Sequence, residues 1–190
     1  FRCLFPFTGG ILSLSLFLLK PHGIHSHVIQ EAYYVWQYSG ESVGYPLFSI
    51  FSMNVAAKID EIAKIVMTLK NNDIATCIFI DPETEQVKAS KKVGADFVEF
   101  STARYASACD LGSIQEVNRE ISAIQDMTVL AKKYGLRVNA GHGLNYRNVE
   151  AIAAIEGIEE LNIGHSIVAR AVLVGLERAV KEMLDLLRRQ

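Results

Sequence analysis

Apolar and polar positions follow an orderly pattern from Met53 onward. Residues 54–70 carry apolar side chains at helical spacing, with the charges on the opposite face. Short continuous apolar runs follow, and such runs are typical of strands buried on both faces. The pattern predicts one helix and then four strand–helix units. The predicted strands are 73–82, 95–101, 136–141 and 158–164, and the predicted helices after them are 83–94, 113–135, 145–157 and 166–189.

Strict alternation of strands and helices predicts parallel strands joined by right-handed helical crossovers. Gly94, Gly135 and Gly157 each end a helix just before a strand begins. The two candidate folds are a doubly wound open sheet and a (β/α)₈ barrel of the TIM type. The glycine-rich phosphate loops of the open sheet are absent from the sequence, which favours the barrel. Four units make only half of a barrel, which typically needs about 250 residues.

Residues 1–52 differ in character from the rest of the chain. They are rich in aromatic residues, poor in charge and without a sustained period, so we leave them as an unassigned leader ahead of a half-barrel at 53–190. The apolar run 11–19 is shorter than the roughly 20 residues that span a bilayer. A buried strand or helix is favoured there over a signal-peptide core. The triplet His22, His25 and His27 suggests either a metal site or a solvated loop, and the loop is favoured.

Composition narrows the possible functions. The chain has 190 residues, half of them hydrophobic, and a formal net charge of −2. That balance indicates no electrostatic attraction to nucleic acid or to anionic membranes. The three cysteines are far apart and form no C-x-x-C pair, so a cytoplasmic, reducing environment is expected. No residue pattern calls for a metal or a cofactor.

Polar side chains and glycines collect where the predicted strands end. Asp81 follows the first strand, Glu99 lies within the second, and Gly-His pairs follow the third and the fourth, at 141–143 and 164–165. The carboxyl ends of parallel strands meet on one face, which is where α/β proteins bind their ligands. A carboxylate, two histidines and exposed backbone amides on one face predict an acid–base site with an anion cradle.

The glycines of these pairs have a physical use. Gly143 and Gly164 lack a Cβ atom, so a phosphate group can approach their backbone N–H groups. The last predicted helix begins just after His165, and its N-terminal dipole attracts anions. Barrels often bind phosphate with the loops that follow their last two strands. We therefore expect a phosphorylated substrate at this edge, with His142 and His165 beside it.

Each of these residues also has a purely structural interpretation. A single Gly-His pair at a strand end is more often a turn, although two at equivalent positions favour function. Glu99 is either a salt-bridging carboxylate or, buried between apolar neighbours, an acid–base or charge-stabilising group. Arg104 is either a surface charge or part of the site, and Asp81 before Pro82 is more typical of a turn.

Four segments resemble the pyridoxine 5′-phosphate synthase family. They read VNAGHGLNYRNVEAIAAI, EELNIGHSIVARAVLVGLERAVKEM, IFIDPETEQVKASKKVGADFVEF and RYA, and the resemblance runs from about Met53 to Leu187. It implies a cytoplasmic (β/α)₈ barrel that assembles into homo-oligomers. It also implies an enzyme that condenses 1-deoxy-D-xylulose 5-phosphate with 3-amino-2-oxopropyl phosphate to form pyridoxine 5′-phosphate, with release of phosphate and water.

The resemblance implies a role for five residues. His142 matches the family's proton donor, and Glu99 matches the carboxylate that stabilises the transition state. Gly143 matches a contact to 3-amino-2-oxopropyl phosphate, and Gly164 and His165 match the pair that holds the phosphate of the same substrate.

The chain departs from the family in two places. The family's His-Thr-Gly after the glutamate reads Ser-Thr-Ala at 101–103. Residues 1–52 do not resemble the family's first half, which supplies an Asn-x-Asp-His motif, a base histidine in a basic loop and a further glutamate. Three hypotheses follow. The chain is the second half of a synthase, or a catalytically inactive half-barrel that binds phosphate or acts only in assembly, or, as the least favoured, part of another phosphate-binding barrel enzyme of metabolism. We also expect the chain to dimerise if nothing covers the edges of its four-stranded sheet.

Overall fold

The computed structural model describes residues 54–188, the side chain of Ile50, and the backbone of the strands at 4–7, 10–13, 34–38 and 46–51. The strands are β1 Leu4–Phe7, β2 Gly10–Ser13, β3 Tyr34–Tyr38, β4 Pro46–Phe51, β5 Ala75–Ile80, β6 Phe97–Ser101, β7 Arg137–Gly141 and β8 Ile158–Asn162. The helices are α1 Ile59–Lys70, α2 Thr84–Lys92, α3 Ala103–Asp110, α4 Ile114–Lys133, α5 Val149–Ala153, α6 His165–Val174 and α7 Leu176–Leu187, and a 3₁₀ turn at Val55–Ala57 precedes α1.

The four predicted strands form the centre of one sheet. Its order is β1-β2-β8-β7-β6-β5-β4-β3. Strands β5 to β8 are parallel to one another and alternate with helices, which confirms the predicted α/β fold with four parallel strands. The segment 103–110, which was not predicted to be helical, forms α3 as an additional helix between β6 and β7.

The leader supplies strands to both edges of this parallel sheet. Strand β4 pairs in parallel with β5, and β2 pairs in parallel with β8. Strands β3 and β1 then add antiparallel hairpin partners on the outside. The sequence leaves residues 1–52 without an assigned architecture, apart from the buried strand or helix expected within 11–19, where β2 begins at Gly10. We expected a dimer only if the edges of the four-stranded sheet were uncovered. The leader strands cover the edges of β5 and β8, so this reason for expecting a dimer does not apply at those edges. The three leader histidines lie outside the described residues.

The two faces of the sheet differ in polarity. Side chains on one face pack with the helices in a single apolar core, which includes Ile78, Val98, Val138 and Leu161. On the other face, the inner face, register places Phe79, Glu99, Asn139 and Glu160 side by side. Phe79, Glu99 and Asn139 are each at most 7% exposed, so the inner face is also buried, but it holds the polar side chains that are candidates for chemistry.

An irregularity between β7 and β8 sets which side chains of β8 reach the inner face. Val138 pairs with Ile158, but Asn139 pairs with Glu160, so Glu159 is the extra residue of a β-bulge. A shift of one residue in the pairing of a strand moves each following side chain to the opposite face of the sheet. The bulge therefore turns Glu160 to the inner face and leaves Leu161 in the core, where it is fully buried.

The segment predicted as one final helix is two helices. Gly175 separates α6 from α7 with φ 84° and ψ 152°, a left-handed conformation that favours glycine. Across this break, the Glu182 carboxylate of α7 accepts a hydrogen bond from Arg170 Nε of α6 at 2.8 Å. Within α7, the same carboxylate accepts from Arg178 Nε, one turn earlier, at 2.9 Å. The Arg170–Glu182 ion pair therefore links the two helices across the break. Among the described residues, no helix is both long and apolar enough to cross a membrane.

The ion pairs of Glu182 with Arg170 and Arg178 should make stability depend on pH. The hydrogen bond from Arg170, with that from Arg178, lowers the pKa of Glu182 below its ordinary value. The stabilisation is therefore present above the unfolded-state pKa and is lost as the pH falls through the folded-state pKa. We expect Glu182→Gln to lower the thermal midpoint at pH 7 and to have little effect in strong acid. An equal deficit at both pH values would contradict this.

Candidate active site

The loop after β7 carries His142 and Gly143 in an unusual backbone conformation. Both residues have positive φ angles, 77° for His142 and 83° for Gly143. A non-glycine residue in this region costs roughly 1–2 kcal/mol, and such strain is found mainly where function requires it. Both residues are exposed at the C-terminal edge of the sheet. His142 thus lies at the C-terminal edge of the sheet, where the sequence predicts a site.

A buried threonine holds this loop. The Thr102 hydroxyl lies 2.9 Å from the carbonyl oxygen of Gly141 and 2.6 Å from that of His142, and the Thr102 backbone N–H donates to Gly141 at 2.8 Å. Thr102 is fully buried. Within the Ser-Thr-Ala segment at 101–103, Thr102 is the one residue that matches the family's His-Thr-Gly. Its role in holding the His142 loop was not predicted from the sequence.

A second set of contacts supports the far side of the same loop. Asn148 Nδ2 donates to the carbonyl of Gly143 at 3.2 Å, and the Asn145 backbone N–H donates to Asn148 Oδ1 at 2.7 Å. The Tyr105 hydroxyl donates to the carbonyl of Asn148 at 2.7 Å. Burial raises the pKa of Tyr105 above its ordinary value, so its hydroxyl remains a donor in alkaline solution as well. The strained backbone is therefore held from both ends.

His142 and Glu99 lie on the same side of β6. The His142 ring is 6.1 Å from the ring of Phe79, centroid to centroid, and tilted by 58°. Phe79 belongs to β5 and is the register neighbour of Glu99 on β6, so the imidazole reaches back across β6 towards Phe79. Glu99 is 5% exposed, as expected for a buried carboxylate on the inner face. The structure thus brings the predicted proton donor and the predicted charge-stabilising group together.

Gly141 provides the space that the Glu99 carboxylate occupies. A Cβ atom added to Gly141 would lie 2.5 Å from Glu99 Oε1 and 2.9 Å from the Asn162 carbonyl oxygen. The carboxylate therefore lies against the backbone of β7 just below His142. Only a glycine at 141 leaves this position open.

The second Gly-His pair forms the start of α6. Gly164 is the N-cap residue and His165 is the first residue of the helix, where it is exposed. The first N–H groups of a helix have no partner within the helix and attract anions. The Ser166 hydroxyl donates to the Leu144 carbonyl at 2.8 Å, which ties this helix end to the loop of His142. The two Gly-His pairs thus lie in segments that are joined at the same edge of the sheet.

The other two candidate residues at the strand ends, Asp81 and Arg104, make contacts of a structural kind. Asp81 lies in a turn, where its carbonyl accepts from the Glu83 N–H at 2.8 Å. Arg104 is 3.9 Å from the Glu83 carboxylate and 4.0 Å from that of Glu120, which is itself bonded to Arg119. These contacts agree with the interpretation of Asp81 as a turn former and of Arg104 as a surface charge.

A family model described as pyridoxal phosphate biosynthesis protein PdxJ matches residues 51–189. Among curated proteins, the chain is 49% identical over 136 residues to a pyridoxine 5′-phosphate synthase of Geobacter metallireducens, covering 72% of the chain and 56% of that protein. It is 51% identical over 134 residues to the synthase of Prochlorococcus marinus, covering 70% of the chain and 54% of that protein. The chain thus spans about half the length of the curated relatives it matches.

Among solved structures, the chain is similar to 3-keto-L-gulonate-6-phosphate decarboxylase from Vibrio cholerae. The TM-score is 0.50 at 15% identity, over 74% of this chain and 60% of that one. At this identity the likeness concerns the fold alone. The predicted family resemblance is confirmed by the family model and by the relatives. From residue 51 onward, the chain belongs to the PdxJ family of pyridoxal phosphate biosynthesis proteins.

Proposed function

We propose that this chain carries the second half of the active site of a pyridoxine 5′-phosphate synthase. The reaction is the condensation of 1-deoxy-D-xylulose 5-phosphate with 3-amino-2-oxopropyl phosphate to form pyridoxine 5′-phosphate. Relatives that carry the name of this enzyme support the proposal. The observation that carries it is the joining of the two Gly-His pairs at one edge of the sheet by the Ser166–Leu144 hydrogen bond.

Gly164 and His165 hold the phosphate of 3-amino-2-oxopropyl phosphate in this proposal. Backbone N–H groups at the start of α6 donate to the phosphate oxygens, and the helix dipole adds to the attraction. His165 is exposed beside the same position and supplies a further donor. Gly143, from the neighbouring loop, contacts the same substrate. A phosphate held here places the remainder of the substrate towards the inner face.

His142 and Glu99 act on the reacting carbon atoms in this proposal. Ring closure expels water, and a hydroxyl group leaves readily only when it receives a proton. His142 donates that proton. Glu99 stabilises the positive charge that develops on the substrate nitrogen and carbon atoms, because an ionised carboxylate attracts positive charge and this one packs against Gly141, the residue before His142. The fixed loop conformation keeps the proton donor over the carboxylate.

Substitution of Gly164 tests the phosphate cradle. Gly164 has a φ of −123°, which other residues can adopt, so Gly164→Val should fold normally. The added side chain blocks the approach of phosphate to the backbone, and we expect affinity for inorganic phosphate to fall about tenfold or more in calorimetric titration. Ala169→Val, at an exposed position in the same helix, is the matched control and should bind normally. Unchanged affinity in Gly164→Val would show that the glycine only forms a turn.

A further inference from the structure

The side chain of Asn139 is fully buried on the inner face of the sheet, with 0% of its surface exposed. Neither its Nδ2 nor its Oδ1 atom has a hydrogen-bond partner among the described residues. Buried amide groups are nearly always hydrogen-bonded, because an unsatisfied donor or acceptor costs the full desolvation penalty. An amide without hydrogen-bond partners inside a candidate site indicates that a bound ligand supplies the missing partners.

Asn139 lies at the same depth in the site as Glu99. The two residues are register neighbours on β6 and β7, so their side chains leave the same face of the sheet next to each other. Between Asn139 and the C-terminal edge on this face lies Gly141, over which the Glu99 carboxylate packs. A ligand group that contacts Glu99 on the inner face is therefore close to Asn139 as well.

The chemistry of the amide indicates which part of a ligand it would bind. Its oxygen accepts hydrogen bonds and its NH₂ group donates them, and both are bonded to the same carbon atom. An amino ketone offers the complementary pair, with an amine that donates beside a keto oxygen that accepts. Resting on the proposed function, we propose that Asn139 is a further substrate-binding residue. It binds the amino-ketone end of 3-amino-2-oxopropyl phosphate, whose phosphate group lies at Gly164 and His165.

The variant Asn139→Leu separates this role from a structural one. Leucine has a similar volume and removes the unsatisfied amide, so we expect the thermal midpoint to rise by about 2–4 °C. Affinity for 3-amino-2-oxopropyl phosphate should fall about tenfold or more, whereas affinity for inorganic phosphate should stay unchanged, because phosphate alone does not extend to Asn139. The matched control is Asn148→Leu. Its amide is bonded to Asn145 and Gly143, so its midpoint should fall.

The outcomes distinguish this inference from the function on which it rests. Unchanged affinity for the amino-ketone phosphate in Asn139→Leu overturns the inference alone. A midpoint that falls, as in Asn148→Leu, also overturns it, because the amide would then be bonded within the fold. A wild-type chain that binds neither inorganic phosphate nor 3-amino-2-oxopropyl phosphate overturns the proposed function and this inference together.

Discussion

The 190-residue chain alone should form little or no pyridoxine 5′-phosphate, whereas a chimera that carries the first half of a family relative ahead of Met53 should form it readily. The matched relatives extend well beyond the shared segment, since the chain covers 56% of the Geobacter metallireducens protein. The resemblance assigns the base histidine and a second glutamate to the unmatched first half. Catalytic groups act as a set, and loss of one member commonly costs orders of magnitude in rate.

The chimera also provides the control for His142. In that background, His142→Ala should lower kcat by roughly 10²–10⁴-fold, the usual contribution of a general acid, while binding of inorganic phosphate persists. Product formation is measured by chromatography with both substrates present. Rapid turnover by the chain alone, abolished by His142→Ala, would contradict the prediction and would mean that residues 1–52 supply the missing groups. An inactive chimera that still binds phosphate would favour the inactive half-barrel.

The central sheet and the placement of the site followed from local patterns in the sequence. Strands β5 to β7 are buried on both faces, so each appears as a compact run with few charges, and glycines end the helices before β6, β7 and the half-buried β8. Parallel strands place their carboxyl ends together, and for that reason Glu99, His142 and His165 could be grouped without coordinates. The catalytic and binding roles of these residues remain predictions.

The inner face could be predicted only in part, because a bulge sets the register of β8. In the segment 158–163, the buried apolar residues are Ile158, Leu161 and Ile163. A spacing of three and then two does not fit strict alternation in a regular strand, and this spacing is the signal that could have indicated the bulge. Without it, Glu160 would be assigned to the wrong face.

Interactions between distant residues were beyond the reach of the sequence pattern. Thr102 holds the His142 loop from a position 40 residues earlier in the chain, and no local spacing relates the two. The unsatisfied amide of Asn139 also becomes visible only once its neighbours are known. The break at Gly175 was missed for a different reason, because helical periodicity continues on both sides of it and a single glycine is tolerated in many helices.

Replacement of Gly143 by alanine should destabilise the chain by roughly 2–5 kcal/mol, as the sum of two costs. A side chain at φ 83° is strained by roughly 1–2 kcal/mol. The new Cβ would lie 2.7 Å from the Ala106 Cβ, which forces a shift that typically costs about 1–3 kcal/mol. Because α3 is packed against α4, Ala106 has little freedom to move, so the loop must shift instead.

Gly112→Ala separates these two costs. Gly112 also has a positive φ, 68°, but a Cβ there would meet no atom of the described chain within 4 Å. It should therefore show only the conformational cost of roughly 1–2 kcal/mol, measured by urea denaturation of both variants. Gly143→Ala should also lower turnover in the chimera, because the shifted loop carries His142 away from Glu99, while Gly112→Ala should leave it unchanged. Equal losses of stability in the two variants would contradict the close packing of Gly143 against α3 and remove the reason for a glycine beside the proton donor.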